Sequence, residues 1–304
     1  MKYDGLFTAI VTPFRTDGSL DKDALRKMIE RQISGGVDGI VPCTVTGESA
    51  TLSHNEHEWV IELAVKYVNR RIGVLASTGS NSTQEAIRLS LHAQKVGADA
   101  VFLITPYLNL PSQRGLYLHF KAIAESLDIP CIIFNLRAQT LVNVDTETLL
   151  QLRADCPNII GFCEVADTLS HIKKIRAHTP PEFRVYAGRD DQALDFFKIG
   201  ATGLVSIAAN IVPDAMRRLI QSAGAQDFKT ADRIAKELLE LFDVLRHQPD
   251  PVPVKTILAR TRLCRETFRL PICASNEPDF IAVVEKVLKN LPSKIDESNP
   301  DKRK

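Results

Sequence analysis

The chain has 304 residues, 44% hydrophobic and 25% charged, the balance of an ordinary soluble globular protein. A formal net charge of +1 excludes a general attraction to nucleic acid or anionic lipid, and no apolar run approaches the ~20 residues of a membrane span. The N-terminus runs directly into Phe7-Thr8-Ala9-Ile10-Val11 without a signal peptide. The six cysteines (Cys43, Cys131, Cys156, Cys163, Cys264 and Cys273) form no CxxC and no framework spacing, which implies reduced, mostly structural thiols in a cytoplasmic protein.

Strand-like apolar runs recur along the chain, each followed by a helix-like stretch. They lie at residues 6–13, 39–43, 71–77, 100–105, 130–134, 159–164, 184–187 and 203–208. Amphipathic stretches at 21–34, 83–96 and 113–126 fall between them, and Asn81 and Thr83 open the second. A short repeat marks the helix-to-strand junctions: Gly36-Val37-Asp38-Gly39, Gly97-Ala98-Asp99-Ala100 and Gly200-Ala201-Thr202-Gly203. In each, a glycine in the left-handed conformation ends a helix, a polar turn follows and an apolar strand begins. Eight such strands predict a (βα)8 TIM barrel over residues 1–212 rather than an open sheet. From Pro213 to 291 the pattern is helical only, broken at Pro249-Asp250-Pro251-Val252-Pro253, and predicts a C-terminal helical extension. Residues 292–304 are polar and read as a disordered tail.

In a parallel barrel the ligand sits at the carboxyl ends of the strands. The run Ile159-Ile160-Gly161-Phe162-Cys163-Glu164-Val165 is the key segment, because Cys163 and Glu164 fall at such an end and are expected to look into the site.

Three motifs carry a resemblance over nearly the whole chain. They are Pro42-Cys43-Thr44-Val45-Thr46-Gly47-Glu48-Ser49, Thr105-Pro106-Tyr107-Leu108-Asn109, and Phe134-Asn135 followed by Gly161-Phe162-Cys163-Glu164. Together they resemble the dihydrodipicolinate synthase / N-acetylneuraminate lyase family, with the bacterial dihydrodipicolinate synthases most similar. The resemblance implies a barrel with added helices, a homodimer or homotetramer, no cofactor, and class I aldolase chemistry. In that chemistry a lysine on strand six forms a Schiff base with pyruvate, and the protonated imine serves as an electron sink. A tyrosine and two hydroxyl partners relay protons, and an arginine receives the second substrate's carboxylate.

This chain departs from that pattern where the chemistry is done. By the resemblance, Cys163 stands at the lysine position, Phe134 at the tyrosine, and Val45 at the first threonine. Leu108 stands at a second tyrosine that reaches across to a neighbouring subunit, and Gln139 at the arginine, with Arg137 two residues earlier. Thr46, Gly47, Glu48, Asn135 and Gly188 are retained. Thr→Val and Tyr→Phe delete a hydroxyl and keep the shape. The losses are therefore mutually consistent: with no amine, the relay has nothing to serve. A second set is intact. Ser49, Ala50, His54, His57, Asn81, Glu85 and Tyr107 match the positions at which free lysine inhibits many bacterial members. Glu85 suits an ammonium, Asn81 and Tyr107 a carboxylate, and neutral histidines the side-chain amine.

Taken singly, the residues have plainer readings. Cys163 has no basic neighbour in sequence to lower its thiol pKa and reads as a small buried residue rather than a nucleophile. His54 and His57 lack a third ligand, so no metal is expected. Glu48 braces the barrel mouth, Lys173 and Lys174 ride an outer helix, and Arg189 is the one new cation near the mouth, open to binding an acid but read as solvated. The expectation is thus a barrel of this family without Schiff-base catalysis, retained as a lysine-binding regulatory protein. The alternatives are an enzyme with altered chemistry on a small acid such as a keto acid in the same pocket, or a structural partner of an active relative.

Overall fold

In the computed structural model, which describes residues 3–165 and 169–291, eight parallel strands close into a barrel in chain order. They are β1 (Gly5–Ala9), β2 (Gly39–Val41), β3 (Gly73–Ser77), β4 (Ala100–Ile104), β5 (Cys131–Asn135), β6 (Ile159–Glu164), β7 (Arg184–Ala187) and β8 (Gly203–Ser206). The helices around them are α1 (Lys22–Ser34), α2 (His54–Val68), α3 (Thr83–Val96), α4 (Gln113–Glu125), the single turn α5 (Arg137–Thr140), α6 (Thr146–Asp155), α7 (Ser170–His178) and α8 (Ala193–Lys198). Then come α9 (Pro213–Gly224), α10 (Phe228–Glu237), α11 (Leu239–Val244), α12 (Val252–Arg260) and α13 (Pro278–Asn290). Among the described residues no helix is long and apolar enough to cross a membrane.

Gly36, Gly97 and Gly200 all take positive φ, as their repeated junction requires. Helix α9 packs against β1, so the helical run that begins at Pro213 opens with the helix that completes the ring. The expected proline break is narrower than the sequence indicates. Pro251 caps α12 and Pro253 lies in its first turn, where a missing N–H leaves no helical bond unmade. The tail expected at 292–304 lies outside the described residues.

Strand residues alternate between two apolar layers. One layer faces the helices. The other fills the barrel with Phe7, Val41, Leu75, Phe102, Ile132, Phe134, Cys163 and Tyr186 among others. Phe7 and Tyr186 meet edge to face at 5.9 Å in the lower barrel. The glycines beside them make that packing possible. A Cβ at Gly39 would lie 2.6 Å from the Phe7 ring, and one at Gly203 would lie 2.7 Å from Tyr186.

The barrel mouth is tied to the C-terminal helices by a buried ion pair. Lys255 Nζ donates to Glu48 Oε1 at 2.5 Å, to the Thr267 carbonyl at 2.6 Å and to the Thr12 carbonyl at 3.2 Å. Its three donors are thus met, and the rings of Phe14 and Phe268 lie 4.5 and 4.9 Å away. The second Glu48 oxygen accepts from the Arg269 backbone N–H at 3.2 Å. The Arg269 guanidinium goes on to the Gly18 and Thr51 carbonyls and to Glu56, whose carboxyl it lowers to about 2. Glu48 therefore braces the mouth, as its sequence position implies. Removing one partner of a buried pair strands the other charge, so Lys255→Met is expected to cost about 3–5 kcal/mol in urea unfolding, with Glu48→Leu added to it restoring part of the loss. A single variant within 1 kcal/mol of the parent would contradict the role assigned to the pair.

Candidate functional site

At the carboxyl ends of the strands lies a cavity of about 200 Å³. Its floor is apolar, with Ala9, Phe102, Phe134, Leu136 and Val205, and its rim carries Arg189, Asp190, Asp191, Arg246 and Asp250. Of the pocket positions expected from sequence, Val45, Thr46, Phe134, Gln139 and Gly188 line it. Phe134 stacks on Phe102 at 4.7 Å, which fixes it as a hydrocarbon wall.

Cys163 is on β6 inside the barrel, with Phe134 and Tyr186 as its partners on the flanking strands. It is fully buried and lies just behind the cavity wall: a Cβ on Gly188 would stand 3.3 Å from its sulfur. Burial, and then Glu164, push its thiol well above the usual range, so it stays protonated and unreactive.

Glu164 does not share its view. Successive strand residues point to opposite faces, so Glu164 turns outward. There it accepts from Asn135 Nδ2 at 3.0 and 3.1 Å and pairs with His171 Nδ1 at 2.7 Å. The expectation that both residues enter the site is corrected accordingly: one is behind the cavity wall, the other in a network outside the barrel. Leu108 does not line this cavity: it sits with positive φ at the tip of the β4–α4 loop, 85% exposed, near the less exposed Leu110 at 55%, an outward position open to a neighbouring subunit. Lys173 and Lys174 are on the outer helix α7, as expected.

Arg189 is not simply solvated. Its Nε and Nη2 reach both oxygens of Asp191 at 3.1 and 2.7 Å, and Arg246 Nη1 joins the same carboxylate at 2.8 Å. Asp190 is a brace: Ser206 Oγ donates to it at 2.5 Å and the Ile207 and Ala208 N–H groups at 3.1 and 2.9 Å, which fixes the turn after β8. Asp250 accepts from Thr46 Oγ1 at 2.6 Å through one oxygen. Burial raises Asp190 to about 6 and Asp250 to about 7, with Glu48 and Asp190 adding to the rise at Asp250. Sequence reading missed Arg246, Asp250 and Thr44. The last two stand in quoted segments, but only the fold turns them toward one cavity. Among the described residues no cluster of His, Cys, Asp and Glu could hold a metal ion.

Five of the second set, His54, His57, Asn81, Glu85 and Tyr107, also gather in space. His54 opens α2 and pairs through Nε2 with Glu85 on α3, which Ser80 also bonds. Asn81 Nδ2 donates to the Tyr107 carbonyl at 3.1 Å, and Glu85 acts electrostatically on both Tyr107 and His57. Ser49 and Ala50 lie in the short turn before α2, with Ala50 exposed. His57 is buried with its Nδ1 unpartnered.

A family model described as the dihydrodipicolinate synthetase family matches residues 2–290. A 4-hydroxy-tetrahydrodipicolinate synthase of Endomicrobium trichonymphae is 41% identical over 289 residues, 95% of this chain and 98% of its own length. The solved dihydrodipicolinate synthase of Aquifex aeolicus superposes with a TM-score of 0.93 at 40% identity, covering 94% of this chain and 97% of its own. One from Cyanidioschyzon merolae, solved with lysine bound, superposes with a TM-score of 0.92 at 30% identity, covering 95% and 98%.

Burial holds the His57 imidazole down to about 4 from an ordinary 6.5. A group whose folded pKa is depressed contributes stability above its unfolded pKa and loses it as pH falls toward the folded value. Between about pH 6.5 and 4 the parent is therefore expected to lose more stability than His57→Gln, read from urea midpoints; parallel curves for the two would contradict a neutral buried imidazole.

Proposed function

Because the chain belongs to the dihydrodipicolinate synthetase family, we propose that it is a member without Schiff-base catalysis that has kept a lysine-recognising face. The observation that carries this reading is the side chain on β6 inside the barrel. Cys163 offers a buried protonated thiol where the reaction needs an amine. No lysine lines the cavity among the described residues, and the one fully buried lysine, Lys255, is closed on Glu48. Val45 and Phe134 bring no hydroxyl to the wall. The named relatives are synthases, and what this chain shares with them is the scaffold.

For the second face, the support is chemical. Glu85 is a carboxylate for an ammonium, Tyr107 and Asn81 are adjacent, and the exposed His54 that now pairs with Glu85 can exchange that partner for a ligand amine. A relative solved with lysine bound gives precedent for lysine binding on this fold. The bare side chains of Leu108, Leu110 and Leu141, 85%, 55% and 74% exposed, are of the kind that a partner subunit covers, which supports a homodimer or larger assembly.

Incubation with pyruvate and borohydride is expected to leave the mass unchanged, and a stable adduct on any lysine would overturn the catalytic reading. Cys163→Lys alone is expected to restore little, since Phe134 and Val45 still lack the relay. L-lysine at about a hundred times its Kd would stabilise by about 2.7 kcal/mol. A melting rise of several degrees is expected with L-lysine, little with D-lysine or pyruvate, and none in Glu85→Gln. A calorimetric titration without lysine heat, the assembly intact, would remove the regulatory part.

A further inference from the structure

The cavity has more to recognise with than its missing amine suggests. Thr44 is 6% exposed and lines it, yet its hydroxyl oxygen has no hydrogen-bond partner. A buried hydroxyl left unpaired is unfavourable unless something in the cavity meets it. Thr46, two residues on in the same turn, donates to Asp250, whose carboxylate borders the cavity and uses one oxygen for that bond. Below these polar groups the wall is hydrocarbon, with Phe102, Phe134 and Val205.

The charges on the rim favour a cation. Among the described residues, three aspartates (Asp190, Asp191 and Asp250) line the cavity against two arginines. Both arginines are drawn onto Asp191, and Arg246 also holds Asp243. Asp190 is engaged by Ser206 and two backbone N–H groups. That leaves Asp250 as the carboxylate with an oxygen for a ligand. A primary ammonium carries three N–H donors, and the Asp250 carboxylate with the Thr44 and Thr46 hydroxyl oxygens offers three acceptors.

We propose that the cavity binds a small primary amine with an apolar body, its ammonium held by Asp250, Thr44 and Thr46 and its hydrocarbon against Phe102 and Phe134. The assignment rests on the reading that no protein amine lines this cavity. The two fail separately: a borohydride adduct strikes the catalytic reading, while ligand titration reports the cavity's charge preference. Glu48, itself bound to Lys255, and Asp190 act on Asp250, and Asp191, Arg189 and Arg246 line the same cavity. Burial and the carboxylates at Glu48 and Asp190 hold Asp250 near 7, so an ammonium must draw it into the ionised form.

The test is calorimetric titration of the full chain with 3-methylbutylamine and with 3-methylbutanoic acid at pH 6 and pH 8. Both probes keep their charge over that range, so any change with pH comes from the protein. The amine is expected to bind at least about 10-fold tighter than the acid, and about 5–10-fold tighter at pH 8 than at pH 6, as Asp250 ionises. Asp250→Asn keeps an oxygen for Thr46 and is expected to lose about 10-fold or more in amine affinity together with the pH dependence. Tighter binding of the acid, affinity for the amine that falls with rising pH, or full affinity in Asp250→Asn would each overturn the assignment. Should Asp250→Asn unfold, Thr44→Val carries the test. About 5-fold weaker amine binding at an unchanged or raised melting temperature is expected, and undiminished binding overturns the proposal.

Discussion

The contact between Lys255 and Glu48 is the one on which the site depends. An ion pair away from water is stable only when both charges are fully bonded, and here they are. The ammonium meets a carboxylate and two carbonyls, and the carboxylate's second oxygen meets a backbone N–H. The three segments drawn together are the loop after β1, the turn after β2 and the helical extension. The cavity opens at that junction: Thr46 is two residues from Glu48, Asp250 is five from Lys255, and the two are bonded to each other at 2.6 Å. The same contact removes Lys255, the fully buried lysine among the described residues, from chemistry, since an amine closed on a carboxylate and two carbonyls is not poised to attack a ketone.

The second constraint is the two-residue period of a strand. It places Cys163 inside the barrel and Glu164 outside it, although they are neighbours in sequence. The barrel interior therefore gains a thiol that burial keeps protonated, and the exterior gains a carboxylate held by Asn135 and His171. Family membership and the proposed loss of Schiff-base catalysis are compatible. Membership is carried by packing over some 290 residues, whereas the reaction rests on a few side chains at one end of the barrel.

Much of the fold was legible in the sequence because barrel strands are buried on both faces and appear as continuous apolar runs between helical patterns. The three glycine junctions at Gly36, Gly97 and Gly200 gave the period, and each is a backbone position with φ above +70°. The cavity was legible where its residues stand at strand ends, as Val45, Phe134 and Gly188 do. Asp250 and Arg246 were not, because they belong to the extension and only tertiary packing brings them over the barrel mouth. Their segment advertised its prolines, not its charge. Leu108 was expected to reach toward a neighbouring subunit, and the loop tip carries it outward, away from this chain's own cavity.

The central claim is that no amine of this barrel is available to a keto acid. Carbon-13 spectroscopy of the protein with pyruvate labelled at its carbonyl carbon tests it without a reductant or a mutation. Only free pyruvate and its hydrate are predicted, unchanged across the pH range in which the protein is folded. A protein-bound imine carbon at stoichiometric intensity would contradict the account.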